Sequence, residues 1–179
     1  MKRQYLILAG LAFGAAGLLW WKFKKRNKSA SSNYNTNTST EDTEMLPRGY
    51  RNNNPLNIRF KSYNDWKGKK LPNTDGAFEQ FVSMDYGYRA ALYLLRNYVL
   101  KDGLTRLNEI ISKWAPANEN HTNLYIDFVA KTNGWPTDKI INAHSQSDMT
   151  KLAYAMSIFE NGRNPMPNTQ AINNGWNLL

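Results

Sequence analysis

The sequence of 179 residues contains no cysteine and only two histidines, His121 and His144. The lack of cysteine excludes disulfide bonds, thiol catalysis and thiolate metal sites. The two histidines do not form an HExxH motif or any other paired spacing, which argues against a dedicated zinc site. We therefore expect no metal and no other cofactor.

Little net positive charge lies outside the N-terminal region. The chain has a formal net charge of +9, but residues 1–28 contribute seven Lys and Arg and no acid. The other residues carry 16 Lys and Arg against 14 Asp and Glu, which leaves only +2. Because a nucleic-acid binder usually carries a basic stripe on its folded domain, we expect no nucleic-acid partner. The N-terminal basic residues instead suit anionic lipid headgroups.

Residues 4–21 form an apolar stretch near the short end of what spans a bilayer. Tyr5 lies at one end, and Trp20 and Trp21 lie at the other, where aromatic rings favour the membrane interface. A cleaved signal peptide is the alternative, but no small-residue cleavage pattern follows Trp21. We predict an uncleaved transmembrane anchor over residues 1–28. Its flanking charges place the rest of the chain on the cytoplasmic side.

A linker and one folded domain follow the predicted anchor. Residues 29–46 are rich in Ser, Asn and Thr and lack apolar periodicity, which predicts a flexible linker. Residues 47–179 carry helical apolar patterns, after two predicted short strands near Trp66 and at residues 77–82. The predicted class is mainly α (α+β), with a small β-hairpin flap and a last short helix. The four main helices are expected over about residues 88–99, 104–114, 122–133 (with Thr122 as the cap) and 148–160.

Glu160 is the acid that its position on the fourth helix singles out. It shares a helix face with Ala153 and Met156, so its carboxylate points inward. Desolvation and the negative end of the helix dipole would both raise the pKa of this carboxyl. A carboxylic acid that stays protonated near neutral pH can serve as the general acid of a glycosidase. A Glu that frays into solvent at the helix terminus is the alternative.

Two segments resemble known glycan-cleaving enzymes. Residues 154–165 are similar to the catalytic helix of the lysozyme superfamily and its lytic transglycosylases, which ends in Glu-Ser-Gly and continues to Asn-Pro. Asn161 replaces the Ser of that pattern. Residues 53–59 are similar to an Asn-rich motif that follows the catalytic helix in related glucosaminidases, whereas here it lies far upstream.

Several further motifs lie along the domain, at residues 48–59, at Trp66 and Gly68, and at residues 74–81, 87–90 and 114–125. Through these motifs the domain as a whole resembles a family of phage-associated lysozyme-like proteins. From this resemblance we infer a circularly permuted lysozyme fold, in which Glu160 packs beside the loop of residues 53–59.

The resemblance implies a membrane-anchored muramidase or lytic transglycosylase that acts on peptidoglycan glycan strands, with Glu160 as general acid. Hydrolases of this superfamily often keep a water-activating base in the hairpin, which points to Asp75 and also to Glu79. Asp75 could equally be a plain turn residue, and Glu119 could simply favour a helix N-terminus. The expected location is a phage virion membrane or a bacterial envelope membrane. Alternative functions are a non-catalytic virion or envelope protein that binds cell-wall glycan, and a module that docks another membrane protein.

Seven side chains are candidates for sugar binding, because amides and guanidinium groups donate hydrogen bonds and aromatic rings stack on pyranose faces. They are Asn53, Asn54, Asn57, Arg59, Trp66, Trp114 and Tyr125. Asn54 and Asn57 could instead satisfy loop backbone groups, and Trp114 lies on the apolar face of its helix. Trp66 is expected to be the exposed platform.

Overall fold

The structure is a computed structural model that describes residues 46–117 and 121–179, and these residues are mainly helical. The predicted mainly α class is therefore confirmed. The predicted anchor at residues 4–21 and all but the last residue of the predicted linker lie outside the described residues. None of the helices that the structure describes is long and apolar enough to cross a membrane. These helices are α1 (Arg48–Arg51), α2 (Met84–Leu100), α3 (Leu107–Trp114), α4 (Thr122–Asn133), α5 (Gln146–Asn161) and α6 (Thr169–Asn177).

Helix α2 is the central element of the core. Its buried positions include Tyr88, Leu92 and Leu95, which follow the predicted helical period and are fully inaccessible to solvent. Helix α6 packs along α2, which confirms the packing role predicted for the C-terminal segment. The two backbones approach closely at Gly175, where a Cβ atom would lie only 2.8 Å from the backbone nitrogen of Arg89. Helices α4 and α5 pack against each other and carry Tyr125 and Glu160 of the candidate site.

The ends of the helices differ from the prediction in two places. Helix α5 begins at Gln146, because the Ser145 side chain accepts a hydrogen bond from the backbone nitrogen of Asp148 at 3.2 Å and caps the helix earlier than expected. The prediction that Thr122 caps α4 is wrong. Thr122 is the first helical residue, and its hydroxyl donates to the carbonyl of Ala115 at 2.6 Å.

The predicted pair of short strands is wrong in detail. Within the described residues, segment 77–82 makes only isolated bridges, and it changes partner along its length. The backbone nitrogen of Glu79 donates to the carbonyl of Ile58 at 2.8 Å, whereas that of Val82 donates to the carbonyl of Gly68 at 2.9 Å. Because neither pairing continues for several residues, no regular ladder forms. The flap is therefore an irregular lobe that contacts the loop of residues 53–59.

Candidate active site

Glu160 lies in the last turn of α5, and its carboxylate accepts three hydrogen bonds from three different parts of the fold. The hydroxyl of Tyr125 on α4 donates to Oε1 at 3.1 Å, and the indole nitrogen of Trp114 on α3 reaches the same oxygen at 3.4 Å. The amide nitrogen of Asn57 donates to Oε2 at 3.0 Å. Glu160 is only partly buried, so its carboxylate is oriented by the protein while the residue keeps contact with solvent.

Burial raises the pKa of the Glu160 carboxyl above its ordinary value. The hydrogen bonds from Asn57, Tyr125 and Trp114 and the positive charge of Arg59 stabilise the charged form and oppose this rise without cancelling it. The raised pKa agrees in direction with the prediction from the helical pattern. Such a carboxyl stays protonated to a higher pH than an exposed Glu, and it can therefore donate a proton.

The Asn side chains in the loop of residues 53–59 have two different roles: some bind backbone groups, and one contacts Glu160. Asn54 is fully buried: its amide nitrogen donates to the carbonyls of Ile58 and Glu79, both at 2.9 Å, and its oxygen accepts from the backbone nitrogen of Ile58. Asn53 donates to the carbonyl of Phe81 at 3.1 Å. The alternative reading of Asn54, as a residue that satisfies backbone groups, is therefore the one that the structure shows. Asn57 reaches the carboxylate instead.

Asn57 reaches Glu160 from an unusual backbone conformation. Its φ of 51° lies in the left-handed region, which Asn tolerates better than most residues other than glycine. A side chain at this position would point elsewhere if the backbone relaxed to an extended conformation. The positive φ is thus part of how the loop presents its amide to the acid.

Asn161 joins the end of α5 to the same loop. Its amide nitrogen donates to the carbonyl of Pro55 at 2.6 Å and to the carbonyl of Ser157 at 3.0 Å. Gly49 of α1 faces this contact, and a Cβ atom there would collide with the Asn161 side chain. The hydrogen bond from Asn57 to Glu160 and the hydrogen bond from Asn161 to Pro55 confirm the predicted packing of Glu160 beside the loop.

Asp75 serves as a turn residue. Nε and Nη2 of Arg48 donate hydrogen bonds to its carboxylate at 2.7 and 2.6 Å. The carboxylate also accepts hydrogen bonds from the backbone nitrogens of Ala77 and Phe78. Burial raises the pKa of this carboxyl, but the hydrogen bonds from Arg48, Asn52 and the backbone hold it at about 2. None of the hydrogen bonds that Asp75 makes within the described residues reaches Glu160. Its surroundings match the turn alternative rather than a water-activating base.

Of the other two acids suggested by the sequence, only Glu79 lies within the described residues. Glu79 is fully buried, and its carboxylate lies 3.3 Å from the ammonium of Lys69. Burial raises the pKa of Glu79, and the backbone nitrogen of Lys61 and the charge of Lys69 oppose the rise. Glu119 lies outside the described residues.

The aromatic candidates are not free to stack on a sugar in the way predicted. Trp66 is partly buried against the core and packs edge to face on Tyr93, so the expectation of an exposed platform is corrected. Trp114 and Tyr125 are only 6% and 2% exposed. They contribute a nitrogen and a hydroxyl to Glu160 rather than ring faces, and nothing in the sequence indicates this use of their polar ends.

The positive charge of Arg59 lies close enough to the Glu160 carboxylate to favour its charged form. The guanidinium carbon of Arg59 stands 4.5 Å from the centre of the Phe78 ring, and the guanidinium of Arg48 lies at the same distance from that ring.

Burial and the Glu160 carboxylate together raise the pKa of the neighbouring Tyr125 hydroxyl well above its ordinary value. That hydroxyl therefore remains a donor at any physiological pH.

The fold and site together define a mainly helical domain with one half-buried acid held by an amide, a phenol and an indole. The sequence is 41% identical over 120 residues to Protein P5 of Pseudoalteromonas phage PM2, and the match covers 66% of this chain and 73% of the phage protein. The chain therefore belongs to the same family as that phage protein. No protein-family model matches the sequence.

Proposed function

We propose that this protein cleaves the glycan strands of peptidoglycan, as a muramidase or lytic transglycosylase with Glu160 as general acid. The observation that carries the proposal is the Glu160 carboxyl itself. It is partly desolvated, has a raised pKa and is fixed by three donors, yet the residue keeps contact with solvent. An oriented carboxylic acid of this kind is what protonation of a glycosidic oxygen requires. The resemblance of residues 154–165 to lysozyme-type catalytic helices supports the same conclusion.

The hydrogen bonds suggest which oxygen carries the transferable proton. Oε1 accepts from both Tyr125 and Trp114, which uses both of its lone pairs, so the proton of the neutral acid belongs on Oε2. In the proposed step, Oε2 gives this proton to the glycosidic oxygen while the bond from that oxygen to the anomeric carbon breaks. The resulting carboxylate then accepts a proton from the nucleophile that attacks the anomeric carbon, which restores the acid.

The identity of the nucleophile depends on whether a second carboxylate is present. Within the described residues, Asp75 and Glu79 are engaged in ion pairs, and the three hydrogen-bond donors to Glu160 include no acid. Glycosidases that use water usually employ two carboxylates. This arrangement favours a route in which the sugar's own 6-hydroxyl attacks, as in a lytic transglycosylase.

The proposed setting is a membrane next to a cell wall. Residues 4–21 would anchor the chain as a single-pass protein, in a phage virion membrane or a bacterial envelope membrane. The cytoplasmic placement predicted from the flanking charges is compatible with a cell-wall substrate if the membrane belongs to a virion or if the domain is released at lysis. The phage origin of the relative supports a virion or prophage source.

The test is to incubate the purified full-length protein with sacculi and to identify the released muropeptides by mass. Products with 1,6-anhydro ends would establish a lytic transglycosylase, whereas reducing ends would establish a hydrolase and renew the case for a second acid. A folded protein that binds sacculi but releases nothing would contradict the proposal. That result would support the alternative of a non-catalytic wall-binding protein.

A further inference from the structure

A row of aromatic rings on α4 and α5 leads from Glu160 towards the surface. The ring of Tyr125, whose hydroxyl contacts Glu160, stacks on Phe159 with centroids 3.8 Å apart and planes 17° from parallel. Phe159 in turn meets Phe128 edge to face, with centroids 5.4 Å apart. The guanidinium carbon of Arg163 stands 5.8 Å from the centre of the Phe128 ring. The row therefore links the acid to an exposed cation.

The members of this row differ in exposure. Tyr125 is buried, whereas Phe159 and Phe128 are only partly buried and Arg163 is exposed. The two phenylalanines pack against the core on one side and keep part of their surface in solvent. Phe128 and Phe159 therefore present part of their ring surface to solvent beside the Glu160 site.

The chemistry of the row suits one class of ligand. Aromatic side chains bind the apolar faces of sugar rings, and a guanidinium binds a carboxylate through paired hydrogen bonds. In peptidoglycan each muramic acid carries a lactyl group, which ends either in a free carboxylate or in a peptide stem that bears carboxylates. A neutral glycan would use the aromatic part of the row and leave the cation unpaired.

We propose that Phe128, Phe159 and Arg163 form a glycan subsite beside Glu160 that selects acidic, muramic-acid-containing strands over neutral ones. Phe128 and Phe159 contact a sugar ring, and Arg163 pairs with a carboxylate of the lactyl group or of the peptide stem. The choice of peptidoglycan as the glycan rests on the proposed function. The subsite itself requires only binding.

Binding can be measured without turnover in full-length protein that carries Glu160→Gln. Three ligands are compared: intact sacculi, strands whose stems an amidase has removed so that the lactyl carboxylates remain, and a neutral N-acetylglucosamine hexamer. Phe128→Leu keeps an apolar side chain in the core but loses the ring, and should weaken binding to all three ligands by about fivefold to tenfold. Arg163→Gln should weaken binding to sacculi by about threefold and leave the neutral hexamer unaffected.

Leu100→Ser is the matched control, because Leu100 is an exposed apolar residue at the end of α2. This variant should bind all three ligands like the parent. If Arg163→Gln weakens binding to sacculi but not to the stripped strands, the carboxylate belongs to the stem. If it weakens binding to the stripped strands, Arg163 pairs with the lactyl carboxylate that removal of the stem exposes. The subsite is overturned if Phe128→Leu and Arg163→Gln both bind like the parent, or if the parent binds none of the ligands.

The same variants separate this inference from the proposed cleavage. If the protein with Glu160 intact releases no products while binding still depends on Phe128 and Arg163, the cleavage proposal fails and the subsite stands. If products are released but both variants bind like the parent, the subsite alone fails. Thermal unfolding of each variant shows whether lost binding reflects lost folding.

Discussion

The amide nitrogen of Asn57 lies 3.0 Å from Oε2 of Glu160, although the two residues are 103 positions apart in the sequence. This contact joins the loop of residues 53–59 to the end of α5, so that both contribute to one site. Asn161 holds the same two elements together through the carbonyl of Pro55. The orientation of Glu160 therefore depends on contacts between residues that are far apart in the sequence.

Asn161→Ala should destabilise the protein by about 1–3 kcal/mol, because the buried carbonyl of Pro55 loses its donor. Muropeptide release should also fall, since the loop that carries Asn57 is no longer held to α5. Asn133→Ala is a matched control: its amide donates at 3.2 and 3.3 Å near the surface of α4, and its loss should cost no more than about 0.5 kcal/mol. Equal unfolding free energies for the two variants in denaturant titrations would show that the hydrogen bond from Asn161 to Pro55 does not stabilise the fold.

Tyr125→Phe should move the alkaline limb of the pH–activity profile to higher pH. The hydroxyl donates to the charged form of Glu160 and lowers the pKa of that carboxyl, so its removal raises the pKa further. A general acid must be protonated to act, and the variant would keep its acid to a higher pH. Tyr63→Phe, at an exposed position, is the control. A limb that stays in place or moves to lower pH would argue against Glu160 as the titrating acid.

Asp75→Asn should lower stability at neutral pH by about 1–2 kcal/mol and leave muropeptide release within about threefold of wild type. The folded-state pKa of Asp75 is depressed from 3.8 to about 2, so its stabilising contribution is complete above about pH 4 and disappears as the pH falls towards 2. In thermal melts recorded from pH 2 to pH 5, the stability of the variant should therefore fall less steeply with decreasing pH than that of the wild type. A folded variant without activity would instead identify Asp75 as a catalytic base.

Lys69→Met should destabilise the protein by about 3–5 kcal/mol, because it leaves the fully buried carboxylate of Glu79 without its partner. The double variant Lys69→Met with Glu79→Gln should recover much of this loss, since no uncompensated charge remains. Denaturant unfolding of both single variants and the double variant measures the coupling. Strict additivity of the three free energies would contradict a paired role for these residues.

The sequence was most informative where the structure is local. The apolar period of α5 and the Asn-Gly stop place Glu160 at an inward-facing helix end, and both features are found. The irregular flap could not be predicted, because segment 77–82 exchanges partners between residues 58–60 and 68–70, which is a tertiary event.

The candidate site was predictable only in part. Asp75 resembles a hairpin base in sequence, and its engagement by Arg48 is a contact between residues 27 positions apart. Tyr125 was a candidate for stacking on sugar because a sequence does not reveal whether a ring is exposed, whereas the apolar helix face of Trp114 already favoured the core position that the structure shows. Their burial turns their polar ends towards Glu160 instead, and the partly exposed rings of Phe128 and Phe159 had no separate signal.

The most direct measurement compares initial rates of muropeptide release from sacculi by full-length wild type and Glu160→Gln, with both proteins shown to be folded and to bind sacculi equally. Loss of the only transferable proton at this position should reduce the rate by at least about 100-fold. A Glu160→Gln protein that releases muropeptides at the wild-type rate would contradict the assignment of Glu160 as the general acid.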